Sequence, residues 1–216
     1  MENLKNQLLN ALKASKPGQK AQLLMAPDFR EEELLQRDNK LASKKSAVLV
    51  LFNPFSDELS LIITKRSSRL KVHRGQVSFP GGRADKEDKN PIETALRETE
   101  EEIGIPRQSI EIIGQLTNLF IPPTNFDVVP VVGFLKSVPN YNCNPDEVEQ
   151  VLEVPIAQLS NSSNIKQKVF YTSSSGIDRK APYYDVMGIE IWGATAMIIS
   201  ELVEVLVANN PLNIRQ

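Results

Sequence analysis

Residues 79–105 contain a glycine turn, a polar loop and one helix whose start and stop signals are both present. Asn90 is a candidate N-cap, Pro91 suits the first helical turn, and Glu93 occupies the reach-back position of a capping box. Gly104 is a natural helix terminator. A buried stripe at helical spacing is predicted from Ile92, Ala95, Leu96, Thr99 and Ile103.

The second half of this predicted helix carries four carboxylates, Glu98, Glu100, Glu101 and Glu102. Carboxylates there oppose the helix macrodipole, and like charges one turn apart repel by about 0.2–0.5 kcal/mol per pair. Local stability therefore disfavours the pattern. One explanation is a solvated acidic face. The other is a divalent cation, because Mg²⁺ binds carboxylate oxygens together with substrate phosphates.

Residues 97–105, RETEEEIGI, resemble the second half of the Nudix box, which runs Arg-Glu-apolar-any-Glu-Glu-any-Gly-apolar. Gly82 matches the leading glycine of that box. Thr99 departs from it at the apolar position. Asp88 stands where the box has a glutamate, and the gap from Asp88 to Arg97 is one residue longer than usual.

The resemblance implies a metal-dependent hydrolase that uses Mg²⁺ or Mn²⁺. Its implied metal ligands are the carboxylates of Glu98, Glu101 and Glu102 and the carbonyl of Gly82. The implied catalytic residues are Arg97, Glu101, Glu102 and Glu147. In this family the arginine usually orients an acidic residue, so Arg97 is expected to support the site. The general base is left open between Glu102 and Glu147.

A second motif lies immediately upstream and is similar to the signature of the coenzyme A diphosphatase branch of this family. It comprises residues 62–67 (IITKRS), Lys71, Gly75 and residues 79–82 (FPGG). Lys71 replaces the second arginine of that signature, which keeps the charge but loses the bidentate fork. The resemblance implies hydrolysis of the diphosphate bond of coenzyme A, or of its acyl or oxidised derivatives, to 3′,5′-ADP and 4′-phosphopantetheine or its acyl form.

The loop that carries this motif is basic, with Lys65, Arg66, Arg69, Lys71 and Arg74 close together. It is either solvated surface or an anion site, and its position before the acidic helix favours the anion site. The candidate substrate-binding residues are Arg66, Ser67, Arg69, Lys71 and Arg74. His73, the only histidine, is expected to have a structural or substrate-contact role rather than a catalytic one.

Two alternatives stay open. The first keeps the hydrolase and changes the substrate to ADP-ribose, NADH, a dinucleotide or a nucleoside diphosphate sugar, because the acidic helix handles only the shared diphosphate. The second is a catalytically silent Nudix-fold module that binds a nucleotide. The module predicts missing carboxylates, whereas Glu98, Glu101 and Glu102 are all present.

The composition is that of an ordinary globular protein, and the family resemblance implies a small-molecule substrate. A length of 216 residues suits one well-packed domain, and a net charge of −2 gives no reason to expect nucleic-acid or membrane binding. Cys143 is the single cysteine, which excludes an intrachain disulfide. No apolar run approaches the roughly 18 residues of a membrane span, and no signal-peptide layout is present, so a cytoplasmic location is expected. Homodimers are common in this family, but the sequence identifies no interface.

The chain divides into a predicted N-terminal helical extension, residues 1–45, and a predicted hydrolase domain, residues 46–216. The extension has an apolar helical stripe and no residues of evident chemistry. Apolar runs at 47–52 and 59–64 predict a hairpin.

Further strands are predicted at 110–116 and 127–135. Pro130 predicts that the second of these is an edge strand or is interrupted there. Residues 191–208 predict a final core helix with Trp192 as a packing anchor. Periodicity alone gives α/β or α+β; the family resemblance implies an α/β/α sandwich with a mixed sheet.

Overall fold

The computed structural model describes residues 2–14, 16–28, 30, 42–70, 75–172 and 177–209. Lys71, His73 and Arg74, which the sequence singles out, therefore lie outside the described residues. The helices are α1 (Glu2–Ala14), α2 (Gln19–Leu23), α3 (Pro91–Ile103), α4 (Ile156–Leu159) and α5 (Gly193–Asn209). The strands are β1 (Lys44–Asn53), β2 (Ser60–Arg66), β3 (Val77–Ser78), β4 (Gly81–Arg83), β5 (Ile110–Gln115), β6 (Leu119–Ile121), β7 (Phe126–Leu135), β8 (Val148–Pro155), β9 (Ile165–Thr172), β10 (Ile177–Val186) and β11 (Ile189–Trp192).

Eight of these strands form one mixed sheet. The order is β3-β2-β1-β7-β5, with β4 paired to β1, β6 to β7 and β8 to β2. Strands β1 and β7 are parallel, and the remaining pairs are antiparallel. The predicted hairpin is confirmed, because β1 and β2 pair from Leu51 opposite Ile62 to Asn53 opposite Ser60.

The two faces of this sheet are covered by different helices. Along β1, Leu49 and Leu51 belong to the cluster that includes Ala95 of α3, whereas Val50 and Phe52 belong to the cluster that includes α1 and α5. This alternation follows from the period of two along a strand. The predicted sandwich, with a mixed sheet between helical layers, is confirmed.

Helix α3 begins and ends where the sequence predicts. The Asn90 side chain accepts a hydrogen bond from the Glu93 backbone N–H (3.1 Å). The Glu93 carboxylate reaches back to the Lys89 N–H (3.0 Å), one residue before the N-cap. Gly104 ends the helix with φ 71°, and its N–H binds the Glu100 carbonyl (3.0 Å).

The prediction for Pro130 is wrong. Pro130 lies in the middle of β7, which is central in the sheet and pairs with Val48 of β1. The Pro130 carbonyl accepts a hydrogen bond from the Leu116 N–H (2.9 Å), just after β5 ends. The nitrogen and carbonyl of a strand residue point to the same side, so the missing donor faces the gap between β5 and β6. The neighbouring strand is interrupted, and β7 is not.

A second, three-stranded antiparallel sheet, ordered β11-β10-β9, was not anticipated from the sequence. Its aromatic cluster places Trp192 on Phe170, with ring centroids 4.2 Å apart, and Tyr183 edge-on to Phe170. Trp192 ends β11, and α5 begins at Gly193, so the predicted final helix starts later than expected.

The N-terminal helices share the main core with α5. Leu8 and Leu12 of α1 are buried in the same cluster as the apolar face of α5. The fully buried Glu201 carboxylate of α5 accepts hydrogen bonds from the Gln22 side chain (2.8 Å) and the Thr117 N–H (3.1 Å). Among the described helices, none is long and apolar enough to cross a membrane.

Leu8→Ala should lower the free energy of unfolding by about 2–5 kcal/mol, because it leaves a cavity in the main core. Gln7→Ala, at an exposed neighbouring position of α1, should change it by less than about 0.5 kcal/mol. Urea denaturation followed by circular dichroism measures both. Equal, small effects would show that α1 does not stabilise the core.

Candidate active site

Strand β4 brings the glycine turn against the acidic helix. A Cβ at Gly81, where φ is 149°, would lie 2.4 Å from the Ala47 carbonyl oxygen of β1. A Cβ at Gly82 would lie 2.5 Å from the carboxyl carbon of Glu98. Only residues without side chains allow β4 to pass this closely between β1 and α3. The Gly82 backbone and the Glu98 carboxylate are therefore immediate neighbours.

Arg97 joins the polar loop to the acidic helix. Its Nε and Nη2 donate to the two oxygens of Asp88 (3.1 and 2.9 Å). Its Nη1 donates to Glu98 (2.9 Å) and to Glu101 (3.0 Å). Nη2 also donates to the Arg83 carbonyl (3.1 Å). One guanidinium thus fixes the loop, β4 and two of the predicted metal ligands.

Asp88 is the bidentate partner of Arg97, a role that the sequence left open. Its carboxylate is nearly buried and also accepts hydrogen bonds from the Asp85 N–H and the Thr94 hydroxyl (both 2.9 Å). The Arg97 guanidinium holds the pKa of Asp88 well below its usual range. Aspartate is shorter than the glutamate of the motif, and its spacing to Arg97 is one residue longer than usual. The Asp88 carboxylate nevertheless reaches the Arg97 guanidinium.

Glu102 is the most deeply buried carboxylate of the acidic run, with 3% of its surface exposed. It accepts a hydrogen bond from the Gly81 N–H (3.2 Å). Burial raises the pKa of Glu102 to about 8, although the positive charge of Arg66 opposes this shift. Burial also raises the pKa of Glu98, with Arg97 opposing and the charges of Glu101 and Glu147 adding to it.

Glu147 lies beside the acidic helix because the turn before β8 is anchored to it. The Asn144 N–H donates to the Glu102 carbonyl (2.9 Å), and the Asn144 side chain donates to the Glu147 carboxylate (3.2 Å). The Glu147 carbonyl in turn accepts from the Ser67 N–H (2.8 Å). The structure therefore brings the predicted metal-ligand and catalytic carboxylates to one region of the molecule: Glu98, Glu101, Glu102 and Glu147.

These carboxylates do not form a ready-made metal cage. Within the described ranges, no three His, Cys, Asp or Glu side chains are close enough together to hold a metal ion. Glu98 and Glu101 share the Nη1 of Arg97, and Glu102 binds the Gly81 N–H. The donor atoms are nevertheless hard oxygens, the type that Mg²⁺ and Mn²⁺ prefer.

A cavity of about 350 Å³ lies on the sheet face opposite α3 and reaches Gly81 and Gly82. Four arginines contribute to its lining, and no acidic residue does among the described residues; these arginines are Arg30, Arg66, Arg83 and Arg179. Its apolar walls include Val48, Val128, Phe126 and Trp192.

Of the predicted substrate-binding residues that the structure describes, Arg66 lines the cavity, whereas Ser67 and Arg69 do not. Arg66 lines it, and the Arg66 Nε is buried without a hydrogen-bond partner in the described part of the chain. Ser67 is buried and donates to the Pro145 carbonyl (3.1 Å), which is a structural contact. Arg69 is exposed, pairs with Asp146 (2.9 Å) and does not line the cavity. Sequence reasoning missed Arg30 and Arg179, which no local motif marks.

Comparisons with known proteins agree with this architecture. A sequence profile of the NUDIX domain matches residues 43–172. The chain is similar to "Uncharacterized Nudix hydrolase NudL" of Photorhabdus laumondii, at 39% identity over 67% of this chain and 76% of that protein. It is 36% identical to the Yersinia enterocolitica protein of the same name, over 68% of this chain and 74% of that protein. The crystal structure of a MutT/nudix family protein from Enterococcus faecalis, 16% identical, matches the fold with a TM-score of 0.52, over 84% of this chain and 69% of that chain.

Asp88→Asn should lower the free energy of unfolding by about 3 kcal/mol near neutral pH, because it removes the nearly buried carboxylate that binds Arg97 in a bidentate pair. Asp85→Asn is the matched control: Asp85 is 62% exposed and lies 3.8 Å from Arg97, so the change should be under about 0.5 kcal/mol.

The effect of Asp88→Asn should depend on pH. A carboxylate with a lowered native pKa stabilises the fold above the unfolded value of about 4, and this stabilisation is lost as pH falls below it. The difference between wild type and variant should therefore shrink between about pH 5 and pH 2 in denaturant titrations. A difference that stays constant over this range would contradict the assigned ion pair.

Proposed function

Because this chain belongs to the Nudix family of hydrolases, which act on diphosphate bonds, we propose that its substrate is coenzyme A or an acyl or oxidised derivative. Hydrolysis of the diphosphate bond then gives 3′,5′-ADP and 4′-phosphopantetheine or its acyl form. The observation that carries the proposal is the cationic cavity, which reaches the glycine turn beside the acidic helix. The upstream sequence motif, similar to that of coenzyme A diphosphatases, supplies both the turn and Arg66.

The cavity suits a ligand with both anionic and apolar parts. Arg66 and Arg83 flank the glycine turn, where their charge attracts the diphosphate. Phe126 and Trp192 provide flat apolar surfaces for a base or a pantetheine arm. A volume of about 350 Å³ is sufficient for part of such a ligand, with the rest extending from the mouth.

The proposed metal ligands are Glu98, Glu101, Glu102 and the Gly82 carbonyl. Bound Mg²⁺ or Mn²⁺ supplies positive charge to the diphosphate oxygens and acidifies the attacking water. All three carboxylates lie on one helix, and burial raises the pKa of Glu98 and of Glu102. A bound cation would stabilise their charged forms and offset the repulsion between them. Arg97 provides part of that positive charge and positions Glu98 and Glu101.

The general base that accepts the proton of the attacking water is one of two carboxylates. Glu102 is buried and accepts a hydrogen bond from the Gly81 N–H, so its carboxylate is held in one position, as suits a metal ligand. Glu147 is half-buried and held only by the Asn144 amide among the contacts described, which leaves it accessible to water. We therefore assign Glu147 as the base and Glu102 as a ligand.

Incubation with Mg²⁺ or Mn²⁺ should release 3′,5′-ADP from coenzyme A faster than nucleotide products from ADP-ribose, NADH or diadenosine polyphosphates. Chromatography of the four reactions, run in parallel with an EDTA control, measures this preference. Turnover of another substrate alone would overturn the coenzyme A assignment and retain the diphosphate hydrolase. Binding of a nucleotide without product from any substrate would indicate the silent module instead.

Glu101→Gln and Glu102→Gln should each lower kcat by at least about a hundredfold, because each removes a proposed metal ligand. Glu100→Gln is the matched control on the same helix, since Glu100 pairs with Arg107 (3.1 Å) at the exposed surface. Steady-state kinetics at saturating metal distinguish the three variants. Full activity in both Glu101→Gln and Glu102→Gln would exclude the proposed metal set.

A further inference from the structure

Two of the arginines that line the cavity come from outside the region that the family profile matches. Arg30 follows α2, and Arg179 lies on β10, whereas the matched region spans residues 43–172. Arg30 is 8% exposed, so its charge is held inside the protein at the cavity wall. The described lining of the cavity contains no acidic residue, and a guanidinium at such a wall attracts an anion.

The segments that carry these arginines are bound to each other. The Asp28 N–H donates to the Lys180 carbonyl (2.9 Å), which joins the N-terminal segment to β10. The Arg179 Nη1 donates to the Asp28 carbonyl (3.1 Å), a neutral group that orients the guanidinium. Arg30 and Arg179 thus belong to one wall of the cavity, built from elements other than β2 and β4, which carry Arg66 and Arg83.

The arginines of the cavity come from two groups of elements. The diphosphate must lie beside the glycine turn and the acidic helix, within reach of Arg66, Arg83 and the proposed cation. Arg30 and Arg179 add two further charges on a separate wall. This distribution fits a ligand with a second anionic group, separated from the diphosphate by a less polar portion.

We propose that Arg30 and Arg179 form a subsite for a phosphate on the substrate's ribose, remote from the bond that is cleaved. The inference rests on the proposed function, in which that group is the 3′-phosphate of coenzyme A. It assigns discrimination of the 3′-phosphate to the N-terminal segment and the second sheet.

Trp192 allows a test that does not depend on catalysis. It is the only tryptophan and lines the cavity, so its fluorescence reports occupancy there. Wild type is titrated with adenosine 3′,5′-bisphosphate and with AMP, which differ by one phosphate. The bisphosphate should bind at least about tenfold more tightly, the effect of one or two charge-assisted hydrogen bonds. Equal affinities, or no binding of the bisphosphate, would overturn the subsite.

Arg179→Ala and Arg30→Lys should each remove most of this preference and leave AMP binding within about twofold. Lysine at position 30 retains the charge and loses the fork, which guards against unfolding by removal of a buried side chain. Arg107→Ala, which removes an exposed arginine paired with Glu100, should retain the wild-type preference. Variants that keep the full preference, or that weaken both ligands equally, would overturn the assignment.

Kinetics separate failure of the subsite from failure of the proposed function. For Arg179→Ala, KM should rise about tenfold with coenzyme A, stay near wild type with dephospho-coenzyme A, and leave kcat unchanged for both. If the wild type hydrolyses coenzyme A and Arg179→Ala changes KM equally for both substrates, the subsite is overturned and the proposed function is retained. If the wild type binds the bisphosphate more tightly than AMP but does not hydrolyse coenzyme A, the proposed function is overturned and the subsite is retained.

Discussion

The guanidinium of Arg97 is the interaction on which the site depends. It reaches the polar loop through Asp88, β4 through the Arg83 carbonyl, and its own helix through Glu98 and Glu101. The helix macrodipole and like-charge repulsion both destabilise the acidic run, and the half-buried guanidinium of Arg97 among the carboxylates offsets them. Asp88, nearly buried and bidentate, is the fixed counter-ion. Glu98 and Glu101 are then held in place without being fully neutralised.

The sheet separates the proposed catalytic carboxylates from the proposed binding cavity. Helix α3 packs on one face, whereas the cavity lies on the other, under α5 and the second sheet. The two regions meet at β4, where Gly81 and Gly82 bring backbone close to both β1 and Glu98. In the proposed function, catalysis and substrate recognition therefore depend on different secondary-structure elements. Under that proposal, changes to the cavity wall formed by Arg30 and Arg179 would alter substrate preference without disturbing the acidic helix.

The sequence predicted the features that local spacing encodes. Asn90 and Gly104 bound α3 as expected, because capping involves residues three or four apart. Thr99, an anomaly in an apolar stripe, is fully buried and bonds its hydroxyl to the Ala95 carbonyl (2.7 Å), which removes the cost of burial. The hydrolase family and the sandwich fold likewise followed from motifs within about forty residues.

Features set by distant residues were not predictable in this way. The edge-strand prediction from Pro130 was wrong because the break that accommodates the proline lies beside β7, between β5 and β6. The second sheet was not predicted because β9 has no clear apolar alternation: its two lysines pair with Asp185 and Glu190, and several of its apolar residues are exposed. Arg179 and Asp28 are bonded although 151 residues apart, so no short motif could show that Arg30 and Arg179 share a cavity. The roles of the site residues remain predictions.

The buried bond between Gln22 and Glu201 has a consequence for how the chain folds. It joins residues 179 positions apart, and parallel strands β1 and β7 also require a long loop to close. Folding is therefore expected to be slow, because these distant contacts form only after much chain entropy is lost. During synthesis, the apolar face that α5 covers stays open until residues 193–209 leave the ribosome. Protection from aggregation in that interval is then a requirement of this architecture.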